Sequence, residues 1–425
     1  MMTNQNELTK EVTELILSEN KFSQQEYISL LEKSVDELPY KGANTFLSNP
    51  VLVDKNYIEN SQKLYSILNS VLVHIAYNYF RDSNIPVIYN LDKEFEEILA
   101  MAEGVPYEIG MYRPDFIYDL NGNPGICEIG CRYPINGWMY SLYVNQATGQ
   151  LANNINENWS AIPQLNDFME EFCNRFDADD SLFFIHKEKK GTEMNYLKAE
   201  LAERGINMIS IEPKEVELVD GQLKVGKEDA RQFYLELDRE ELKTFDKEVL
   251  NAIIKSGRCI NDVRTLILVH NKRVLTLLSN ATIMASYINV DDYKYLMTYL
   301  IPSYNIDRPE DREFLLNSSA NWILKPNNGG GGIDILVKNE TPKEVWEETI
   351  KNKWSDYMIQ PYLQQKDFEL DHNGSKESIH LVGMDLCFNG KYFGPGFFRA
   401  SKESIINAQD DSSVILPCVL EKREE

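Results

Sequence analysis

The chain has 425 residues, 43% of them hydrophobic and 26% charged, with a net charge of −24. That length is ample for large buried cores and two or three domains, and the balance excludes collagen-like, low-complexity and fully disordered chains. The charge argues against nonspecific binding to nucleic acid or to an anionic membrane as the main role, while leaving room for a local basic pocket that binds phosphate.

Residues 1–20 are acidic and amphipathic, without the basic start and apolar core of a signal peptide, and no run approaches the length of a membrane span. The cysteines at 127, 131, 173, 259, 387 and 418 include no C-x-x-C pair. The expectation is reduced thiols and a cytoplasmic protein. Apolar residues recur at helical spacing from 57 to 80 and from 95 to 101, so residues 1–100 read as helical.

The texture changes at Met111. Residues 113–119 and 126–129 read as two strands joined by Asn121-Gly122-Asn123-Pro124-Gly125, a dense turn signal. This hairpin places Asp115 and Glu128 on adjacent strands. Two carboxylates facing one side suit Mg²⁺, which takes oxygen ligands and keeps water and phosphate oxygens in its shell. Arg113, two residues before Asp115, points to the same face and can stabilise charge developing on a phosphoryl group. A surface hairpin with solvated charges would read the same way in isolation.

From 180 to 270 the pattern becomes strand, helix, strand. Residues 181–186 form a strand, 194–204 a helix ended by Gly205, and 206–211 a strand. A strand over 233–237, a helix near 246–255 and a strand over 266–270 continue it. This is a small α/β unit with parallel strands. A helix follows Lys272, and another is expected over 293–301. Strands are expected over 322–326, 333–337, 357–362, 380–388 and 392–398. The tail from 401 to 425 is polar, and partial mobility is expected of it.

The strongest local signal is Lys325-Pro326-Asn327-Asn328 followed by Gly329, Gly330, Gly331 and Gly332. Four glycines between two strands make a flexible lid whose N–H groups can approach a polyphosphate closely. The run is neither a Walker A loop nor a dinucleotide fingerprint, because its lysine precedes it and a strand follows. Lys272 ends another strand, and the two lysines can both reach phosphates as point charges. Gln360, Tyr362 and Leu363 lie where backbone groups could meet an adenine edge. Arg399 closes a late strand and can hold a carboxylate bidentately, or form a surface salt bridge. The five histidines show no metal spacing, and no nucleophile motif is present.

Taken together, these segments resemble the ATP-grasp fold. The Asp…Glu hairpin precedes the glycine lid by about two hundred residues, an order similar to that of the circularly permuted, eukaryotic-type glutathione synthetases. Tyr112-Arg113-Pro114-Asp115-Phe116 is similar to that family's Arg-Ser-Asp-Tyr strand, and Cys127-Glu128-Ile129-Gly130 to its Ile-Glu-Ile-Asn strand. His270-Asn271-Lys272-Arg273-Val274 is similar to its phosphate lysine, residues 322–332 to its lid, and Arg399-Ala400-Ser401 to its late Arg-Thr-Lys. The resemblance covers about 110–400. It implies an α/β fold: a circularly permuted ATP-grasp core with an inserted parallel-sheet substrate domain and a glycine-rich lid. The divisions are 1–179, 180–270 and 271–425, with the lid at about 320–365.

The resemblance implies a carboxylate–amine ligase that uses ATP and Mg²⁺, forms an acyl phosphate, and takes a small-molecule acid and an amine. A nucleotide-binding protein without catalysis, and a kinase without ligation, are the alternatives. No nucleic-acid or membrane partner is expected, and a homodimer is compatible. The implied ATP contacts are Lys272, Lys325, Asn327, Gly329, Gly330, Gly331, Gly332, Gln360, Tyr362 and Leu363. The implied catalytic residues are Arg113 and Arg399. The family's metal-binding Asn is Gly130 here, and its lid Glu is Gly329, so the metal rests on Asp115 and Glu128, with Asp334 as a further ligand. Where the family holds its dipeptide with an Asn, a Gln and an Arg, this chain has the stretch 189–194 and the acid Glu236. Glu236, Arg113 and Arg399 would therefore bind a substrate of different charge, an amino acid or small peptide.

Overall fold

The computed structural model describes residues 15–19, 21–35, 38–39, 42–162, 165–187, 193–372, 374–407, 410 and 412–422. Most of the amphipathic stretch 1–20 and the loop 188–192 therefore lie outside the described residues. The hairpin expected near 113–129 is present. Met111–Tyr118 and Pro124–Gly130 pair antiparallel. Their turn is held by Asp119, whose Oδ1 accepts the N–H groups of Asn121 at 2.9 Å and Asn123 at 2.8 Å. The turn chemistry thus fixes the register of the strands that carry Asp115 and Glu128.

Met111–Tyr118 pairs on its other edge with the long strand Ser375–Phe388. Phe398–Ser401 and Val414–Leu416 extend the sheet, and Phe368–His372 and Lys391–Pro395 also pair with the long strand. Helix Lys55–Asn78 buries Leu64, Leu68, Leu72 and Ile75, spaced to form one face. Helix Trp138–Ile155 is buried nearly all round in its first turns. Gly383 sits opposite Phe116, and a Cβ there would lie 2.2 Å from the Phe116 ring, so only glycine lets the two strands carry that aromatic.

The unit after 180 is a parallel sheet in the order Cys259–Ile260, Gln232–Glu236, Leu182–His186, Met208–Ile211. Its two central strands are buried throughout, as parallel strands covered by helices must be. Helices Glu193–Glu203 and Lys247–Ser256 end near Gly205 and Gly257, both in the left-handed region at φ +77° and +66°. A third sheet places Trp322–Pro326 between Leu336–Val337 and Tyr357–Pro361, all antiparallel. Helix Lys343–Asn352 covers it, with Trp346 and Ile350 packed near Trp322, Leu324 and Ile359.

Four expectations need correction. Residues 265–269 form a π-helix rather than a strand; the run Thr-Leu-Ile-Leu-Val is buried on every side, and a short apolar run carries no period to separate the two. The strand expected from 333 begins only at Leu336, because Gly331, Gly332 and Asp334 adopt positive φ in a turn. The strand expected over 392–398 is two strands, broken at Gly396-Phe397. The tail is ordered into Val414–Leu416 and Cys418–Glu421, the latter parallel to Val51–Asp54 and antiparallel to Trp159–Ser160. All six cysteines are free thiols, and no described helix is long and apolar enough to cross a membrane.

Candidate functional site

Asp115 and Glu128 are direct cross-strand partners, so their side chains leave the hairpin on one face. Lys272 reaches that face from the segment between the π-helix and helix Arg273–Leu278. Its Nζ lies 3.4 Å from Glu128 Oε1 and donates to the Gly329 carbonyl at 2.9 Å. Its own N–H donates to the Asn327 carbonyl at 2.9 Å. Lys325 Nζ donates to the Cys127 carbonyl at 3.2 Å. One residue patch therefore joins the hairpin, both lysines and the start of the glycine turn, across two hundred residues of chain.

Burial alone would push the Glu128 carboxyl up, but Lys272, His270 and Lys325 together hold it below the ordinary range, so it is an anion. His270 is held down to about 3 by burial and by Lys272, and is neutral. Its Nδ1 accepts the Cys131 N–H at 3.3 Å.

The turn itself carries Gly329, Gly331 and Gly332 at φ +87°, +74° and +74°, a backbone that L side chains rarely adopt. Asn407 Nδ2 donates to the Gly331 carbonyl at 2.9 Å, tying the turn to the segment after Phe398–Ser401. A Cβ on Gly330 would meet Arg132 Nη2 at 3.1 Å and Glu128 Oε1 at 3.9 Å, so a further cation stands beside the turn. Sequence reasoning missed Arg132; its place two residues beyond the second acid-bearing strand was the available signal. Asn327 anchors the turn's entry: its N–H donates to the Asp356 carbonyl at 2.8 Å and its Nδ2 to the Ser355 carbonyl at 2.9 Å.

Arg399 Nη2 lies 2.6 Å from Asp115 Oδ2, which brings the late arginine to the same face. Asp334 is exposed on the turn and does not join the acid pair: among the described residues no three His, Cys, Asp or Glu side chains are grouped to hold a metal ion. Gln360 is buried with its Nε2 on Ser303 Oγ at 2.9 Å, and the Tyr362 N–H is spent on the Asn321 carbonyl at 3.1 Å. Leu363 packs toward Gly125 of the hairpin. Of the three, the N–H of Tyr362 is thus not open to an adenine edge.

Arg113 and Glu236 occupy a separate, closed cluster. Arg113 donates to the Pro134 carbonyl at 2.6 Å and the Arg132 carbonyl at 3.2 Å. Glu236, only 1% exposed, accepts the Ile135 N–H at 3.0 Å. Glu193 accepts the N–H groups of Gly137 at 2.5 Å and Tyr140 at 3.1 Å, capping helix Trp138–Ile155 from outside. Burial raises the Glu236 carboxyl to about 8 and that of Glu193 to about 7, against the pull of these N–H groups and of Arg113. The expectation that Glu236 meets a substrate ammonium fails on this geometry: it is sealed against the 135–140 turn. Glu193 was missed, because its role depends on a helix fifty residues away.

Comparison with known proteins adds to this geometry. A structural neighbour is a glutathione synthetase like-effector (GSS30) from Globodera pallida, in apo form, with TM-score 0.57 over 93% of this chain and 96% of that one, at 11% identity. The chain has a glutathione synthetase-like fold. The family described as AnkG N-terminal domain matches residues 64–268, just under half of the chain. No curated protein sequence matches it.

Proposed function

We propose that the protein is an ATP-dependent ligase that joins a small carboxylic acid to an amine. The observation that carries this reading is the convergence of Lys272, Lys325 and Arg132 on a positive-φ glycine turn beside the carboxylate of Glu128. Few ligands other than a polyphosphate call for cations, exposed backbone N–H groups and an acid together. Asp115 and Glu128 are of the type that holds Mg²⁺ with water and phosphate oxygens completing the shell, and that ion would neutralise phosphate charge.

In the proposed reaction the γ-phosphoryl of ATP passes to the substrate carboxylate, giving an acyl phosphate and ADP. The amine then attacks the acyl carbon and phosphate leaves. Lys272 and Lys325 hold the phosphates, the glycine turn covers them and limits hydrolysis, and Arg399 orients the acid. No protein nucleophile is required. An amino acid or small peptide is the proposed acid.

A second reading, nucleotide binding without turnover, is favoured by one observation. Asp115 and Glu128 are each already paired with a cation, and no third acid joins them. Incubating the protein with ATP, Mg²⁺ and a panel of amino acids and dipeptides, with ADP and amide products read by mass spectrometry, separates the two. Ligation predicts ADP formation that requires both an acid and an amine. ATP binding without ADP for any pair supports the second reading, and absence of ATP binding overturns both.

A further inference from the structure

Behind the 271–273 segment, on the side away from Glu128, lies a cavity of about 360 Å³. Its floor is buried and its rim is wet: Arg239, Asn271 and Asn327 are buried, whereas Asp92 and Asp356 are exposed. Arg239 is only 8% exposed, yet its Nε and Nη1 have no hydrogen-bond acceptor among the described residues. Its guanidinium rests over the Phe95 ring at 4.7 Å, and its nearest ion pair is a 3.5 Å contact with the exposed Glu240. The opposite wall offers the reverse polarity. Asn327 Oδ1 and Asn328 Oδ1 are buried acceptors without a donor.

An unpaired buried donor or acceptor costs on the order of 1–3 kcal/mol. Unpaired donors on one wall of a cavity and unpaired acceptors on the other mark a site shaped for something that supplies both. Arg273, the second guanidinium here, is already committed to the carbonyls of Ile88, Tyr89 and Ser355, which leaves Arg239 as the group for an anion.

From this juxtaposition we infer that the cavity binds a free α-amino acid, carboxylate inward on Arg239 and ammonium on the Asn327 and Asn328 amide oxygens toward the acidic rim. A phosphate would satisfy Arg239 but leave the two amide oxygens without donors and face Asp92 and Asp356. A zwitterion satisfies both walls with no net change in charge. Phe95, Tyr89 and Leu91 supply an apolar side for the substituent. The inference does not depend on turnover of ATP.

The test is calorimetry on the full chain without nucleotide, using the free proteinogenic amino acids, their decarboxylated amines, their N-acetyl forms and inorganic phosphate. The expected result is saturable binding of at least one amino acid, with both single-charge analogues weaker by about tenfold or more, a loss of one charge-assisted contact. Arg239→Gln should weaken binding similarly, with circular dichroism confirming the fold. Because Arg239 also packs on Phe95, Asn328→Ala on the opposite wall is the second variant, expected to weaken the amino acid but not its deaminated acid. No binding of any amino acid at millimolar concentration overturns the inference. So does phosphate binding in preference to every amino acid, or an affinity indifferent to both variants.

Discussion

Asp115 and Glu128 face each other across two paired strands, and each holds a different cation: Arg399 at 2.6 Å on the first, Lys272 at 3.4 Å on the second. The acid pair is therefore the hinge point between the hairpin, the late strand Phe398–Ser401 and the glycine turn. A ligand that binds Lys272 must compete with, or share, Glu128.

Replacing Glu128 by Gln keeps the shape and deletes the anion. Lys272, 3% exposed, then keeps the Gly329 carbonyl alone as a close partner. Stability should fall by about 1–3 kcal/mol, the cost of an underpaired buried charge, while any ADP formation falls by more than tenfold and needs more Mg²⁺. Urea denaturation and ADP release across Mg²⁺ concentrations measure the two. Normal turnover at low Mg²⁺ would remove the hairpin from the proposed site.

Lys325 differs from Lys272 in that its ammonium donates to a carbonyl rather than to a carboxylate. Its charge is thus largely available to a phosphate. Lys325→Ala should weaken ATP binding about ten- to a hundredfold, equivalent to one charge-assisted contact, with little change in melting temperature. Titration of ATP into the folded variant checks this.

Gly383→Ala tests the core beneath the site. The added methyl would fall 2.2 Å from Phe116 and 2.8 Å from Phe398, inside rings that cannot both retreat. Destabilisation of about 1–3 kcal/mol or more is expected from overpacking, read by thermal melting. Phe116→Leu in the same chain should recover part of it.

Stability should also depend on pH through Asp385. Burial raises its carboxyl to about 7, although Tyr65 and Tyr392 hydrogen-bond to it. Above its unfolded value of 3.8 and below about 7, the folded protein holds a proton that the unfolded chain has lost. Stability from this group is therefore greatest in acid and is lost as pH rises through that window. Glu193 and Glu236, raised to about 7 and 8, act in the same direction. Asp385→Asn mimics the protonated form, so its melting temperature relative to the parent should rise between pH 5 and pH 8. A constant difference across that range would show that Asp385 ionises normally.

Much of the site was legible because local chemistry encodes it. Asx-turn residues at 119–123 announce the hairpin, glycines at 205 and 257 end helices, and the parallel strands read as continuous apolar runs. The pairing of Lys272 with Glu128 could be anticipated only as two charged ends of separate segments. The rest depended on tertiary placement. The run 265–269 has no period, so its π-helical turn was invisible. Glu193 and Glu236 look like surface acids until the 135–140 turn supplies their donors. Arg239, in an ordinary acidic helix start at Asp238-Arg239-Glu240-Glu241, gives no local sign that it lines a cavity.

The sheet that gathers Ile16–Leu17, Val51–Asp54, Cys418–Glu421 and Trp159–Ser160 has a temporal consequence. Its inner strand is the last to leave the ribosome, and it must slot in parallel beside one made more than three hundred residues earlier. Until then Val51–Asp54 and Trp159–Ser160 wait with bare edges. The nascent chain consequently spends most of its synthesis with this sheet open, exposed to chaperones or to chance pairing, and folding here is completed by release rather than by elongation.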